Sequence, residues 1–274
     1  MIDVRSKLRP GNALFVLMIV VYVAIVLGIL LTVVLNSVSK GWYSGLLPKT
    51  ITTEWYQYVS QDHDIPQLLY VTFVVAIADV LVGLLIAFPA SYTLARTEFR
   101  GKGILLSLFL LPMIVPPMAY GLPLAMLCYK FRLAGKIIGT IIVNLVPIVP
   151  FMILVLMPFI EQVGTNLESA AKMLGAKRST IFRKILIPLT APGILTAGIL
   201  SLVKSISMFD LTYLVAGGKS QTIVVALYSD AYAAGARPPQ SVDALAVIYF
   251  LISMTCLLVS LRFVSPTQMV FKVK

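Results

Sequence analysis

The sequence predicts an all-α, polytopic membrane protein with six transmembrane helices. Two observations carry that reading, and a physical constraint completes it. Hydrophobic residues make up 59% of the 274 positions and charged residues only 12%, about half the charged share of a soluble domain. The mean hydropathy is +0.96. Six apolar runs reach the roughly 20 residues needed to cross a hydrocarbon core about 30 Å thick. They cover 13–35, 69–94, 104–127, 137–160, 191–213 and 244–263. Backbone groups cannot stay unpaired in lipid, so each run is expected to be helical.

The first run follows Arg5, Lys7 and Arg9, as a secretory signal would. It is too long for a signal core and lacks a small-residue cleavage site, so it is expected to remain as a helix. The third run holds Pro112, Pro116, Pro117 and Pro123 around Gly121, and the fourth holds Pro147, Pro150 and Pro158. Such prolines free carbonyls that are tolerated beside a cavity or where neighbours satisfy them, and simple kinking explains them as well. In the fifth run, Gly193 and Ala197 have the small-xxx-small spacing of close helix contact, either within the chain or with a partner.

Positive charges set the orientation. Segments 1–12, 95–103, 161–190 and 264–274 contain Arg5, Lys7, Arg9, Arg96, Arg100, Lys102, Lys172, Lys177, Arg178, Arg183, Lys184, Lys272 and Lys274. Segments 36–68 and 214–243 contain Lys40, Lys49, Lys219 and Arg237, offset by Glu54, Asp62, Asp64, Asp230 and Asp243. Both termini are therefore expected in the cytoplasm (N-in, C-in), although Lys130, Arg132 and Lys136 fall on the opposite side. The expected organisation is a cytoplasmic segment 1–12, a membrane domain 13–264 with a cytoplasmic loop 161–190, and a cytoplasmic tail 265–274. The net charge of +11 then reflects this bias, and no basic face outside the membrane is long enough for nucleic acid.

Segment 165–188 is a polar island between two apolar runs. Thr165-Asn166-Leu167-Glu168 fits a capping box, with the threonine hydroxyl and Glu168 satisfying end amides reciprocally. Leu167, Ala170, Ala171 and Leu174 recur at helical spacing, and Gly175 stands where a left-handed residue would close the helix. A second short helix is expected over about 178–186, with Pro188 marking a boundary or kink. A helix-turn-helix of this kind can rest on lipid headgroups or can receive a soluble partner.

The spacing Ala170-Ala171, three residues, Gly175, nine residues, Ile185, one residue, an aliphatic residue and Pro188 resembles the cytoplasmic loop of binding-protein-dependent ABC importer permeases. That loop usually begins Glu-Ala-Ala and ends Ile-x-Leu-Pro. Here Ser169 takes the glutamate position, Glu168 lies one residue early, and Ile187 replaces the leucine. The resemblance implies a type I importer permease fold in a bacterial inner membrane. It also implies a coupling helix that enters a groove on an ATPase dimer through Glu168, Ser169, Ala170, Ala171, Leu174, Gly175, Ala176, Ile185 and Pro188. A second permease subunit and a periplasmic solute-binding protein would complete the assembly. ATP and magnesium would belong to the ATPase, with no cofactor in this chain. Trp55-Tyr56, segment 96–102 and Asp243-Ala244-Leu245-Ala246 resemble the spermidine/putrescine class, whose sister groups carry 2-aminoethylphosphonate or ferric iron. A polyamine-like or phosphonate-like solute is the expectation.

Asp79 is a carboxylate deep in an apolar run, and Lys204 is the comparably placed cation, with Asp210 six residues on. A charge at this depth costs about 2.5–3.5 kcal/mol on insertion scales, so it should face protein or water. Asp79 and Lys204 are expected to pair, or with Asp210 to line the translocation path; a purely structural contact is the alternative. Gly217-Gly218-Lys219-Ser220 imitates the end of a phosphate-binding loop, but Tyr213 stands where the first glycine belongs, so a turn is expected. A short helix is expected over 222–232 with Val225, Leu227 and Tyr228 packed down. His63, the sole histidine, lies between Asp62 and Asp64; a solvated loop rather than a metal site is expected. A stand-alone secondary transporter would need a coupling-ion site and usually internal repeats, and an intramembrane enzyme would need clustered histidines or carboxylates.

Overall fold

The computed structural model describes residues 10–42, 45, 47–232 and 237–263. Arg5, Lys7, Arg9, Lys272 and Lys274, which support the orientation argument, lie outside these residues, as does tail 265–274. Described residues are helical throughout, apart from loops and one isolated bridge between Ser39 and Ile51. Chain contacts divide it into two units, Met1–His63 with Asp230–Tyr249, and Asp64–Ser229 with Phe250–Lys274.

In the first unit, α1 (Pro10–Ser37) is an apolar span whose most hydrophobic window buries nothing. Its far end is held by polar bonds. Trp55 Nε1 donates to the Ser39 carbonyl at 2.6 Å, Ser37 Oγ and the Tyr56 hydroxyl lie 2.9 Å apart, and Asn36 Nδ2 donates to Asp243 Oδ2 at 2.5 Å. Trp55 and Tyr56 belong to α2 (Glu54–Asp62), and Asp243 to the start of α12 (Pro239–Phe263). Trp55, Tyr56 and Asp243 thus fasten α1.

In the second unit, α3 (Ile65–Arg96) starts at an Asp64 side chain that accepts from the Gln67 amide at 3.1 Å, with Pro66 in the first turn. Its 32 residues span about 48 Å at 1.5 Å per residue, longer than the hydrocarbon core. It packs with α6 (Ile137–Gln162) and α9 (Ile187–Ile206) around Ile148, Met152, Ile153, Leu156 and Ile160, which are fully buried. Gly83 permits the approach of α6: a Cβ there would meet Met152 Sδ at 2.8 Å. Pro147, Pro150 and Pro158 all sit inside α6 without ending it.

Two of the six expected spans differ from simple helices. The third is a pair, α4 (Lys102–Ile114) and α5 (Pro117–Lys130), bent by 94°. Proline forces its predecessor into extended backbone, and Val115 and Pro116 take ψ of 133° and 130° before Pro116 and Pro117. The missing Pro116 amide would orphan the Pro112 carbonyl, but the Tyr120 hydroxyl donates to it at 3.2 Å. An open groove of about 450 Å³ at the bend is lined by Leu111, Pro112, Val115, Tyr120, Pro123 and neighbours, so Pro112 and Pro123 border a groove.

The fifth expected span, 191–213, is displaced. Its helix begins earlier, at α8 (Arg178–Ile181), and runs through a π-helical turn (Phe182–Leu186) into α9. Pro188 falls at the boundary between the π turn and α9, in the first turn of α9, where a missing amide costs least. The helix then breaks at Ser207–Phe209 before α10 (Asp210–Val215). Gly193 is filled against the Phe159 ring, where a Cβ would meet Cγ at 2.5 Å, so the small-xxx-small pair serves packing within the chain. Between α10 and α11 (Ile223–Tyr232), residues 217–220 form the expected turn, with the Gly217 amide donating to Ser220 Oγ at 2.9 Å. Val225 is buried and Leu227 and Tyr228 half-buried, as expected.

Candidate functional site

The polar island forms α7 (Thr165–Met173), a glycine turn and α8. Its C-terminus closes as a Schellman motif: the Ala176 amide bonds the Ala171 carbonyl and the Gly175 amide bonds that of Lys172, both at 3.0 Å, with Gly175 at φ +80°. Val163, Ile181 and Leu186 form a small core beneath it, joined by Ala171, Ala176, Phe182 and Ile185. Four of the nine expected docking residues, Glu168, Ala171, Ala176 and Ile185, are thus buried or half-buried. Ser169, Ala170, Leu174, Gly175 and Pro188 are exposed.

The capping box does not form. Gly164 is the N-cap, Thr165 is already helical, and no side chain bonds the end amides. Glu168 is 4% exposed and turns into the protein, where Oε2 accepts from the Tyr92 hydroxyl at 2.7 Å and Oε1 from Arg96 Nε at 2.8 Å. Arg96 Nη2 also donates to the Val163 carbonyl at 2.6 Å. A guanidinium is a stronger partner than an exposed end amide, which explains the change of role. Arg96 ends α3, so this carboxylate anchors α7 to a spanning helix. Sequence reasoning missed Tyr92 and the pairing of Arg96; the only available signal was a lone cation closing an apolar run.

With Glu168 turned inward, the opposite face of α7 carries Leu167, Ala170, Met173 and Leu174. Met173 and Leu174 are 83% and 88% exposed. Large apolar side chains on a short polar loop form a patch that needs cover.

Inside the membrane region, Asp79 and Lys204 do not pair. Asp79 is fully buried, and its Oδ2 accepts from Ser205 Oγ at 2.6 Å and Asn144 Nδ2 at 3.2 Å. Asn144 Oδ1 in turn accepts from Thr212 Oγ1 at 3.3 Å. Consecutive helical residues diverge by about 100°, so Ser205 facing Asp79 turns Lys204 aside, and its Nζ lies 4.7 Å from the Phe151 ring centroid. Asp210 opens α10, half-buried. Asp79 and Lys204 therefore face different neighbours.

His63 is also not in a solvated loop. Its Nε2 lies 2.7 Å from Asp230 Oδ2 and 3.5 Å from Asp62 Oδ2. Arg237 bonds Asp62 through Nη1 and Asp230 through Nε, the latter at 3.1 Å. Asp62, His63 and Asp230 have their ligating atoms within 4.8 Å of one another, and the Arg237 guanidinium bridges the two carboxylates.

Comparison with known proteins agrees with this architecture. Residues 79–268 match the family described as binding-protein-dependent transport system inner membrane component. The trehalose transport permease SugB of Mycobacterium tuberculosis is 30% identical over 155 residues, 57% of each chain. The molybdenum transport permease ModB of Haemophilus influenzae is 27% identical over 202 residues, 68% of this chain and 87% of its own. This chain thus spans little more than half of SugB. A chain of a bacterial ABC transporter importing the acidic polysaccharide alginate superposes with a TM-score of 0.77 at 16% identity, covering 96% of this chain and 99% of its own. A chain of the MetNI methionine ABC transporter superposes at 0.56 and 16% identity, over 72% and 93%. Folded as a broken-helix membrane bundle and matched over most of its length, the chain belongs to the binding-protein-dependent transport system inner membrane component family.

Proposed function

We propose that this chain is the transmembrane permease subunit of an ATP-binding cassette importer, passing a small solute from a periplasmic binding protein to the cytoplasm. A separate ATPase dimer supplies the energy, and a second permease, identical or homologous, completes the pathway. One observation carries the docking assignment: α7 is locked from behind by Glu168 and Arg96 while Leu167, Ala170, Met173 and Leu174 face outward. A rigid helix with an uncovered apolar face suits a groove on a soluble subunit. Ser169 and Gly175 would border that contact. Glu168, Ala171, Ala176 and Ile185 would act from beneath, and Pro188 through the π turn.

The charge bias supports N-in, C-in topology with loop 161–190 in the cytoplasm and termini 1–12 and 265–274 on the same side. A solved relative is an alginate transporter in complex with an alginate-bound periplasmic protein, which supports the binding-protein partner. The solute is proposed to be polyamine-like or phosphonate-like, on the resemblance of Trp55-Tyr56 and segment 243–246. Relatives named for trehalose, molybdenum and sulfate show how widely cargo varies at this level of similarity. Family membership favours this reading over a stand-alone secondary transporter.

Affinity purification of the full chain tests the docking. An ATPase should co-purify with the wild type and be lost on deleting 168–178 or on Gly175→Pro. Retained association after the deletion would overturn the assignment. Titrating the partner binding protein with spermidine, putrescine and 2-aminoethylphosphonate tests the solute. No binding to any of them rejects the solute class while leaving the permease role intact.

A further inference from the structure

Asp79 is a carboxyl group buried within the bundle with only neutral partners. Ser205 and Asn144 both serve Oδ2, while Oδ1 is buried with no hydrogen-bond partner. Two more buried hydroxyls in the same bundle, Thr140 and Ser201, also lack partners. Each lies one helical turn from a residue that already faces Asp79, Thr140 from Asn144 on α6 and Ser201 from Ser205 on α9. Unpaired buried polar atoms are costly, and an isolated buried charge more so. Lys204 cannot neutralise Asp79, being seated over Phe151.

Asn144 gives its amide N–H to Asp79 Oδ2 and its carbonyl to Thr212; the oxygens left with free lone pairs are Asp79 Oδ1, the Asn144 carbonyl and the Ser205 and Thr212 hydroxyls, a set that suits hard cations. The backbone adds to it. α9 ends at Ile206, one residue beyond Ser205, and α10 begins at Asp210, with Thr212 in its first turn. The negative end of the α9 dipole therefore falls beside the cluster, and ends of discontinuous helices are places where membrane proteins coordinate alkali ions. One carboxylate among neutral oxygens balances a single positive charge. A divalent ion would leave net charge buried in the membrane.

We infer that Asp79, Asn144, Ser205 and Thr212 form an intramembrane site for a monovalent alkali cation, which ties α3, α6, α9 and α10 together across the α9–α10 break. The site goes beyond the permease reading and does not depend on which solute is carried. Its occupancy would stiffen the bundle at the break.

The full chain in lipid nanodiscs provides the test. Its unfolding midpoint is measured in sodium, potassium and N-methylglucamine chloride at equal ionic strength and pH. Binding of radioactive sodium is measured in parallel. The midpoint should rise by about 5 °C in one alkali salt over N-methylglucamine at about a hundredfold excess over the dissociation constant. Asp79→Asn should abolish the rise, and Thr212→Val should weaken it. Comparison of the two alkali salts tells sodium from potassium. Equal midpoints in all three salts would overturn the site, as would an undiminished rise in Asp79→Asn. Should Asp79→Asn fail to fold, saturable, displaceable alkali-ion binding to the wild type decides the matter, and its absence rejects the site.

Discussion

Arg96 and Glu168, 72 positions apart, are joined at 2.8 Å with both side chains largely buried. The guanidinium ends α3 and the carboxylate lies in the first turn of α7, so one ion pair fixes the attitude of the loop helix relative to a spanning helix. Removing one partner of a buried pair costs about 3–5 kcal/mol because the other charge is left uncompensated. Arg96→Ala should therefore free α7 and make loop 161–190 a preferred protease site, with the spanning helices intact. Limited proteolysis of the nanodisc protein would show this, and an unchanged cleavage rate would mean that the pair does not hold the loop.

The exposed face of α7 should behave differently from its buried base. Leu174→Glu should abolish ATPase association with little change in the unfolding midpoint, since Leu174 is 88% exposed. A variant that loses stability and association together would place Leu174 in the fold instead.

Gly175 is held at φ +80° with open space around it. Its replacement by alanine should cost about 1–2 kcal/mol from left-handed backbone alone, seen as a lower midpoint. Gly175→Asn should recover part of the loss, because asparagine tolerates this conformation.

Gly193 predicts a clash that can be relieved. A Cβ would come 2.5 Å from the Phe159 ring, so Gly193→Ala should destabilise by about 1–3 kcal/mol. Adding Phe159→Leu should restore much of it. A Gly193→Ala midpoint equal to that of the wild type would show that the helices separate without cost.

At the His63 cluster, Arg237→Ala should leave Asp62 and Asp230 facing each other with only His63 between them. Hydrogen bonds to charged groups contribute about 1.5–3 kcal/mol, and the loss should appear as faster hydrogen exchange in α2 and at 237–242. Arg237→Lys should recover only part, because one ammonium cannot reproduce the two-pronged contact.

Membrane class, helical composition and the register of the polar island were legible in the sequence, because apolar length and helical spacing are local properties. Gly175 was legible for the same reason: a left-handed closure depends on the residue that performs it. Long-range partners were not. The Asp79 carboxylate marked itself as needing company, but Asn144 and Ser205 rather than Lys204 supply it. Glu168 fits a local capping box, yet it bonds Tyr92 and Arg96 once α3 brings them alongside. Proline positions did not say which helices break: α6 continues through three of them, whereas Pro116 and Pro117 bend the third span by 94°. Lone prolines inside a packed helix are held by neighbours, while two in succession remove adjacent amides and extend the residue before them. The sequence by itself determined where chain could cross a membrane and where it had to remain in water. Only the tertiary structure decided which buried charge meets which partner, because that choice depends on helices distant in sequence packing face to face.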